Sequence, residues 1–420
     1  MSTRLTYGQP AAAGLSPAGL ATADKALQAA IGVVCPAAVL LVARRGVVAC
    51  HRAYGWLDPE TRSQPTRRDS LFDLASVTKL FATTAFMTLA EAGRVALEQP
   101  VADVLPAFRG PRPLAAYEDP LNPGVMIEVV PATSQVVEAG QVTFRQLLTH
   151  TAGLPAWKPL YKLPGGREAI YAAAAQAPFA YPPGQRVLYS DLGLILLSAA
   201  IERLAGEPLD AYLRRAVLKP LGLSETHYRP LSSAYPLRRR PSADIAPTEL
   251  CAWRGRRLRG EVHDENAAAM DGVSGHAGLF ATAWEVAVLG QLYLNGGEYA
   301  GRRLLAPATV AAMTSEQAVF ADERRGLGWM LKSRQVSSAG RYFSPRSYGH
   351  TGFTGTSLWV DPQQELLVVL LTNRVYYGRS NAAEILALRQ AVHDAASSCL
   401  TSRNGGHDDA AEAVSQGLEV

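Results

Sequence analysis

Cysteine is scarce and unpatterned in this chain. The 420 residues hold four, Cys35, Cys50, Cys251 and Cys399, with no C-x-x-C pair. Neither a structural zinc site nor a dithiol redox motif is therefore indicated, and the thiols are expected to be free. An apolar leader is also missing from Met1 to Pro10, so no secretory signal is read there. The longest apolar run, Ala29 to Ala43, is broken by Gly32 and Pro36. It falls short of the roughly 20 residues that span a bilayer. A cytoplasmic location with no membrane partner is expected. Excess charge is absent as well: a net +4 gives no electrostatic reason for a nucleic-acid partner. The arginines at Arg238-Arg239-Arg240 and at Arg254, Arg256, Arg257 and Arg259 lack interleaved aromatics and read as solvated loop surface. No G-x-S-x-G elbow surrounds Ser274, because His276 holds the last position, so an α/β-hydrolase triad is not supported.

What is present is apolar bulk. Nearly half the residues, 48%, are hydrophobic, enough for a substantial core, and the length suggests two to three domain-sized units. Helical spacing over Pro17 to Ile31 leads into a buried-strand composition at Ala37 to Ala43, the turn Arg44-Arg45-Gly46 and a partner strand from Val47 to Tyr54. Apolar faces then mark helices at Ser76 to Ala92, Thr143 to Thr149, Arg167 to Ala175, Asp191 to Leu204 and Leu209 to Leu218. After Leu279 to Ala281, the capping box Thr282-Ala283-Trp284-Glu285 starts a helix through Leu294. Successive antiparallel strands are read at Gly326 to Leu331, Ser347 to His350, Ser357 to Asp361 and Leu366 to Thr372, and an amphipathic helix at Ala382 to Ala396. The fold class is α/β, an antiparallel sheet flanked by helices with an inserted, mainly helical domain. Residues 1–75 and 271–398 form the discontinuous α/β domain and 76–270 the helical one. Residues 109–141 read as a functional flap and 399–420 as a disordered tail.

Chemistry concentrates at Ser76-Val77-Thr78-Lys79. Residues three apart on a helix stand side by side, so the serine and the lysine can act as nucleophile and proton acceptor. The apolar run Leu80 to Ala92 places the pair on a buried helix, where desolvation is expected to erode the ammonium form of Lys79. Tyr189-Ser190-Asp191 follows the loop Pro182-Pro183-Gly184 and opens a helix. His350-Thr351-Gly352 ends a strand and precedes Phe353-Thr354-Gly355, whose small residues admit another backbone or a substrate. His263-Asp264-Glu265-Asn266 reads as a cleft-lining or turn-capping loop rather than a metal site, and His150 and His276 read as structural.

These segments, with Leu147 to Pro155 and Gly275 to Phe280, resemble in order those of the penicillin-recognising serine hydrolases. That superfamily comprises class C β-lactamases, D-alanyl-D-alanine carboxypeptidases and β-lactamase-like esterases. The resemblance runs from about Leu15 to Ala396. It implies that Ser76 attacks an ester or amide carbonyl while Lys79 and Tyr189 share the base and relay roles. The oxyanion would rest on the N–H groups of Ser76 and Phe353, with no metal or organic cofactor. His350, Asp191, Thr351, Gly352 and Phe353 are then the substrate-binding residues. Two departures matter: His350 stands where a lysine is common, and Asp191 where an asparagine is common. Losing a fixed cation weakens the grip on a substrate carboxylate. A carboxylesterase acting on weakly charged esters, with weak β-lactamase activity, is therefore expected. A D-amino-acid peptidase or an acyltransferase of the same fold is the neighbouring reading, and a non-catalytic binding protein the reading of another class.

Overall fold

The computed structural model describes residues 4–119, 122, 124–128, 136–231 and 241–400. Its centre is a nine-stranded sheet drawn from both ends of the chain. In chain order the strands are β1 (Thr6–Tyr7), β2 (Ala37–Arg44), β3 (Val47–Gly55), β4 (Ala318–Phe320), β5 (Glu323–Arg325), β6 (Met330–Leu331), β7 (Tyr348–Thr351), β8 (Ser357–Asp361) and β9 (Leu366–Thr372). They lie in the order β1-β3-β2-β9-β8-β7-β6-β5-β4. The pairings are antiparallel except at one edge, where β1 runs parallel to β3 with Thr6 opposite Val47. The sheet is therefore mixed rather than purely antiparallel as expected.

Strand periodicity explains the two apolar layers. Successive side chains alternate across the sheet. Val39, Leu41, Leu367, Val369 and Leu371 join the cluster on one face, while Leu40, Val42, Val368 and Leu370 join the cluster on the other. Both faces are covered, so β2 and β9 read as unbroken apolar runs without being parallel strands. The outer face carries α1 (Pro17–Ala30) and α5 (Ala382–Ser398), which supply Leu20, Leu27, Leu388 and Val392. Ser16 caps α1 by accepting the Ala18 N–H at 3.3 Å.

The inner face carries α4 (Ala283–Leu294). Gly290 lets it settle against β8, since a Cβ there would meet Leu358 at 3.1 Å. One continuous apolar cluster runs from this face through α2 (Thr78–Glu91) and α3 (Asp191–Ala205). Each fully buried Leu, Val or Phe in it contributes roughly 1.5–3 kcal/mol. Nothing among the described helices is long and apolar enough to cross a membrane.

Three local outcomes bear on the expectations. Within 109–141, Pro111–Pro113 pairs with Val136–Glu138 and Tyr117–Glu118 with Met126–Ile127. Tyr117 packs with Ala180 and Leu188, so this segment leans on the loop entering Tyr189. Of the tail, Cys399 is buried and its carbonyl accepts the Ser16 N–H at 2.7 Å, while 401–420 lie outside the described residues. Arg238, Arg239 and Arg240 also lie outside them. The second arginine cluster is not simply solvated. Arg254 donates to the Val262 and His263 carbonyls, Arg257 to those of Thr248 and Tyr376, and Arg259 to Leu57. Guanidinium groups here satisfy loop carbonyls that no ladder reaches.

Candidate active site

Ser76 lies not in an α-helix but in a 3₁₀ turn, Ala75–Val77, that feeds α2. Side chains at i and i+3 nearly eclipse in that geometry, which brings Lys79 over Ser76. The turn is strained: Ala75 has φ +45°, a left-handed conformation uncommon for a residue with a Cβ. Its surroundings hold it there. Asp73 Oδ1 accepts the Ala75 N–H at 2.9 Å, Thr354 Oγ1 donates to the Asp73 carbonyl at 2.7 Å, and Thr356 Oγ1 donates to the Leu74 carbonyl at 2.9 Å. Strain of this kind persists only where several contacts enforce it.

Lys79 Nζ, on a side chain only 1% exposed, donates to Ser76 Oγ at 3.0 Å, Asp191 Oδ1 at 2.7 Å and the His276 carbonyl at 3.0 Å. Three donors meet three acceptors, so the ammonium is fully satisfied. Burial pushes its pKa down, but the Asp191 carboxylate and the Tyr189 phenol outweigh burial, and the net shift is upward. The expectation that desolvation would erode the ammonium form is thereby corrected. The counter-charge on Asp191 decides the sign.

Why Asp191 and Tyr189 both face this point follows from the chain between them. Ser190 is extended (φ −133°, ψ 124°) and caps α3, its Oγ accepting the Gly193 N–H. Across one extended residue, side chains at i and i+2 share a side. Tyr189 Oη is buried without a hydrogen bond of its own. Burial raises its pKa, while Lys79 and Ser76 pull it part of the way back. Lys79 Nζ stands 4.9 Å from the centroid of its ring.

The remaining expected residues lie on and after β7. His350 is wholly buried, its ring 5.8 Å from that of Tyr189; Nδ1 meets the Thr351 carbonyl at 2.8 Å and Nε2 has no partner. Burial, with the charges of Lys79 and Arg325, holds its pKa well below the usual value, so it is neutral. Thr351 pairs with Ser357 across β7 and β8. Gly352 is pressed onto the segment before Ser76, where a Cβ would lie 2.4 Å from the Leu74 carbonyl. Phe353 sits between the His263 ring, 5.6 Å away, and the Arg374 guanidinium, 4.7 Å away. Among the described residues no backbone acceptor takes the Phe353 N–H.

Arg325 escaped the sequence reading, while His150, His276 and Asp264, read there as structural or turn-capping, also border the site. His150, in a left-handed turn (φ +57°), lies 4.7 Å from the Tyr189 ring and accepts the Ser190 N–H at 3.1 Å. Arg325, 2% exposed, stands 5.1 Å from the same ring with Nε and Nη1 unpartnered. Behind Lys79, Ser274 Oγ meets His276 Nδ1 at 2.7 Å and His276 Nε2 meets Asp264 at 2.8 Å. Asp264 also caps the helix Glu265–Ala269, the turn-capping role expected of that loop. Asp191, Asp264 and His276 bring their ligand atoms within 4.8 Å of one another. Lys79 pairs with Asp191 and His276 with Asp264, so both carboxylates of the cluster already have partners in the chain itself. A separate hollow of about 600 Å³ beside Tyr7, His51 and Trp284 shares no lining residue with this site.

Such a sheet, with a Ser-x-x-Lys turn at the foot of its inner helices, defines the architecture of β-lactamase-like serine hydrolases. The chain belongs to the Beta-lactamase family, whose model matches residues 23–393. It is 32% identical over 404 residues to a "Putative D-alanyl-D-alanine carboxypeptidase" of Escherichia coli (strain K12), covering 88% of this chain and 86% of that one. It is also 32% identical over 379 residues to an "N-acetylmuramyl-L-alanine amidase" of Bacillus subtilis (strain 168), covering 84% and 80%. Among solved structures it shares its fold with "EstCE1, a hydrolase with promiscuous acyltransferase activity", at TM-score 0.67 and 24% identity over 90% of this chain and 99% of that one.

Proposed function

We propose that this β-lactamase-family serine hydrolase acylates Ser76 and works as a carboxylesterase on esters of little negative charge. The observation that carries this reading is the 3.0 Å contact between Lys79 Nζ and the Oγ of a half-buried serine. In this scheme the free-amine form of Lys79 takes the Ser76 proton, the Asp191 carboxylate pairs the resulting ammonium across 2.7 Å, and the proton returns to Ser76 when water opens the acyl-enzyme. The freed oxygen attacks the carbonyl, and the oxyanion rests on the N–H groups of Ser76 and Phe353. A preorganised donor of this kind is worth about 3 kcal/mol. Tyr189 gives its phenolic proton to the departing alkoxide and recovers one from the water that later opens the acyl-enzyme. Neutral His350 leaves no fixed cation at the position where a lysine is common, which supports the preference for uncharged esters. Four free, buried cysteines suit a reducing compartment and support a cytoplasmic setting.

A second reading is an amide hydrolase acting on carboxylate-bearing peptides. The names of the two curated relatives favour it, and so does Arg325, whose unpartnered N–H groups lie near Tyr189. Turnover of p-nitrophenyl esters by wild type and Ser76→Ala, with intact-mass detection of a fluorophosphonate adduct, tests the nucleophile. Loss in the variant by roughly 10⁴-fold or more is expected. Cephalosporin hydrolysis measured beside ester hydrolysis at pH 7 separates the readings. An ester-to-cephalosporin ratio near or below one favours the second.

A further inference from the structure

Arg389 is a cation in an unusual place. It projects from α5 with 7% of its surface exposed, and it makes no ion pair among the described residues. Burial, together with the charge of another cation, Arg374, pushes its pKa down to about 9. At neutral pH the guanidinium is still charged. A buried charge without a carboxylate costs stability, so its retention calls for another explanation. What it touches supplies one: Nη2 donates to the Gly352 carbonyl at 2.8 Å and to the Thr356 carbonyl at 2.7 Å.

The Gly352 carbonyl and the Phe353 N–H belong to one amide plane. A charge-assisted hydrogen bond to the oxygen of an amide draws electron density from its nitrogen and strengthens the N–H as a donor. That plane is also fixed on its other sides. Gly355 N–H reaches the Gly352 carbonyl at 3.0 Å, Gly352 N–H reaches the Thr356 carbonyl at 2.8 Å, and Arg374 Nε donates to the Phe353 carbonyl at 2.8 Å. Among the described residues the carbonyl of the Gly352–Phe353 amide is hydrogen-bonded and its N–H has no backbone acceptor. The geometry points to Arg389 as a positioning residue that polarises and aims the Phe353 N–H at the oxyanion formed during acylation of Ser76. This rests on the proposed acyl-enzyme chemistry. Arg389 touches no reacting atom and acts through the backbone alone.

The test compares Arg389→Lys, which keeps a charge, with Arg389→Gln, which keeps a neutral donor. Both are measured in the full chain, with active sites counted by fluorophosphonate labelling at Ser76. Per labelled site, kcat for p-nitrophenyl esters is expected to fall in the order wild type, Lys, Gln. The Gln variant should lose about tenfold, a fraction of what deleting an oxyanion donor costs, with KM within about twofold. Inhibition by phenylboronic acid, whose tetrahedral adduct presents an oxyanion, should weaken by the same factor as kcat/KM. A merely structural role would lower the labelled fraction and leave per-site kcat and boronate affinity untouched, which overturns the inference. If Arg389→Gln does not fold, an unchanged per-site kcat and boronate affinity in Arg389→Lys overturns it equally. Failure of wild type itself to label at Ser76 would instead remove the underlying enzymatic reading.

Discussion

The two sides of Ser76 differ in how completely their polar atoms are used. On one side Lys79, Asp191, Asp264, His276 and Ser274 form a closed network in which each named contact has a partner at 2.7–3.0 Å. On the other, Tyr189 Oη, His350 Nε2 and two nitrogens of Arg325 are buried and have none among the described residues. Buried polar groups are normally paired, and each exception asks for a reason. The satisfied side balances charge and fixes the nucleophile. The unsatisfied side is what a substrate, with its own donors and acceptors, can complete.

The largest expected break in that comparison is Lys79→Met. It strands the Asp191 carboxylate, so activity per folded molecule should fall by roughly 10³-fold or more. Stability should fall by about 3–5 kcal/mol, the cost of breaking a buried pair from one end. Urea unfolding alongside ester turnover reads both. Tyr189→Phe should behave differently. Activity is expected to drop roughly 10²-fold for loss of the proton-bearing group. Stability should change little, because the deleted hydroxyl makes no hydrogen bond of standard geometry among the described residues. A clear fall in the unfolding midpoint of Tyr189→Phe would erase the distinction between the two sides.

Acid sharpens the contrast. His276 and His263 face the carboxylates of Asp264 and Glu249, whereas His150 and His350 face the cations Lys79 and Arg325. Burial and those charges hold His150 and His350 well below an ordinary histidine, and burial takes His51 and His393 down to about 4. For a base with a depressed folded pKa, the unfolded chain binds more protons below about 6.5. Stability is then retained at neutral pH and lost as pH falls from there toward the folded values. Wholly buried His393 alone should cost about 2 kcal/mol between pH 7 and 5. Urea midpoints at those two pH values check this, and an equal or higher midpoint at pH 5 contradicts it.

Much of the framework was legible because it is periodic. β8 and β9 fall at the expected residues, and α1, α3 and α4 begin where their caps or first turns are written. The convergence of Ser76 and Lys79 was legible as spacing. What the chain conceals is whatever depends on a partner far along it. The strained turn at Ala75 needs Thr354 and Thr356, nearly 280 residues on, to hold it. Arg325 and Arg389 carry no local motif, and they matter because of the rings and carbonyls that tertiary packing brings to them. The charge on Lys79 was misread for the same reason. Burial is visible in an apolar run, but a counter-ion 112 residues away is not.

The finest test of the comparison is Asp191→Asn, which makes the satisfied side resemble the unsatisfied one while changing almost no volume. The carboxylate is the strongest influence that holds the Lys79 ammonium above its usual pKa against burial. Replacing it with an amide leaves burial in command, so the lysine pKa should fall for the loss of an opposite charge at hydrogen-bond distance. If neutral Lys79 is the form that takes the Ser76 proton, the acidic limb of the kcat/KM profile must move to lower pH by a similar amount. Stability at neutral pH should change less than in Lys79→Met, because the ammonium keeps the His276 carbonyl and Ser76 Oγ as acceptors. An Asp191 that served only to contact substrate would leave the limb in place and change KM alone. A profile of kcat/KM and KM from pH 6 to 11 for wild type and variant distinguishes the two. An unmoved limb would mean that the Lys79–Asp191 pair sets geometry and not protonation, and the charge-balancing role assigned to that side would fail.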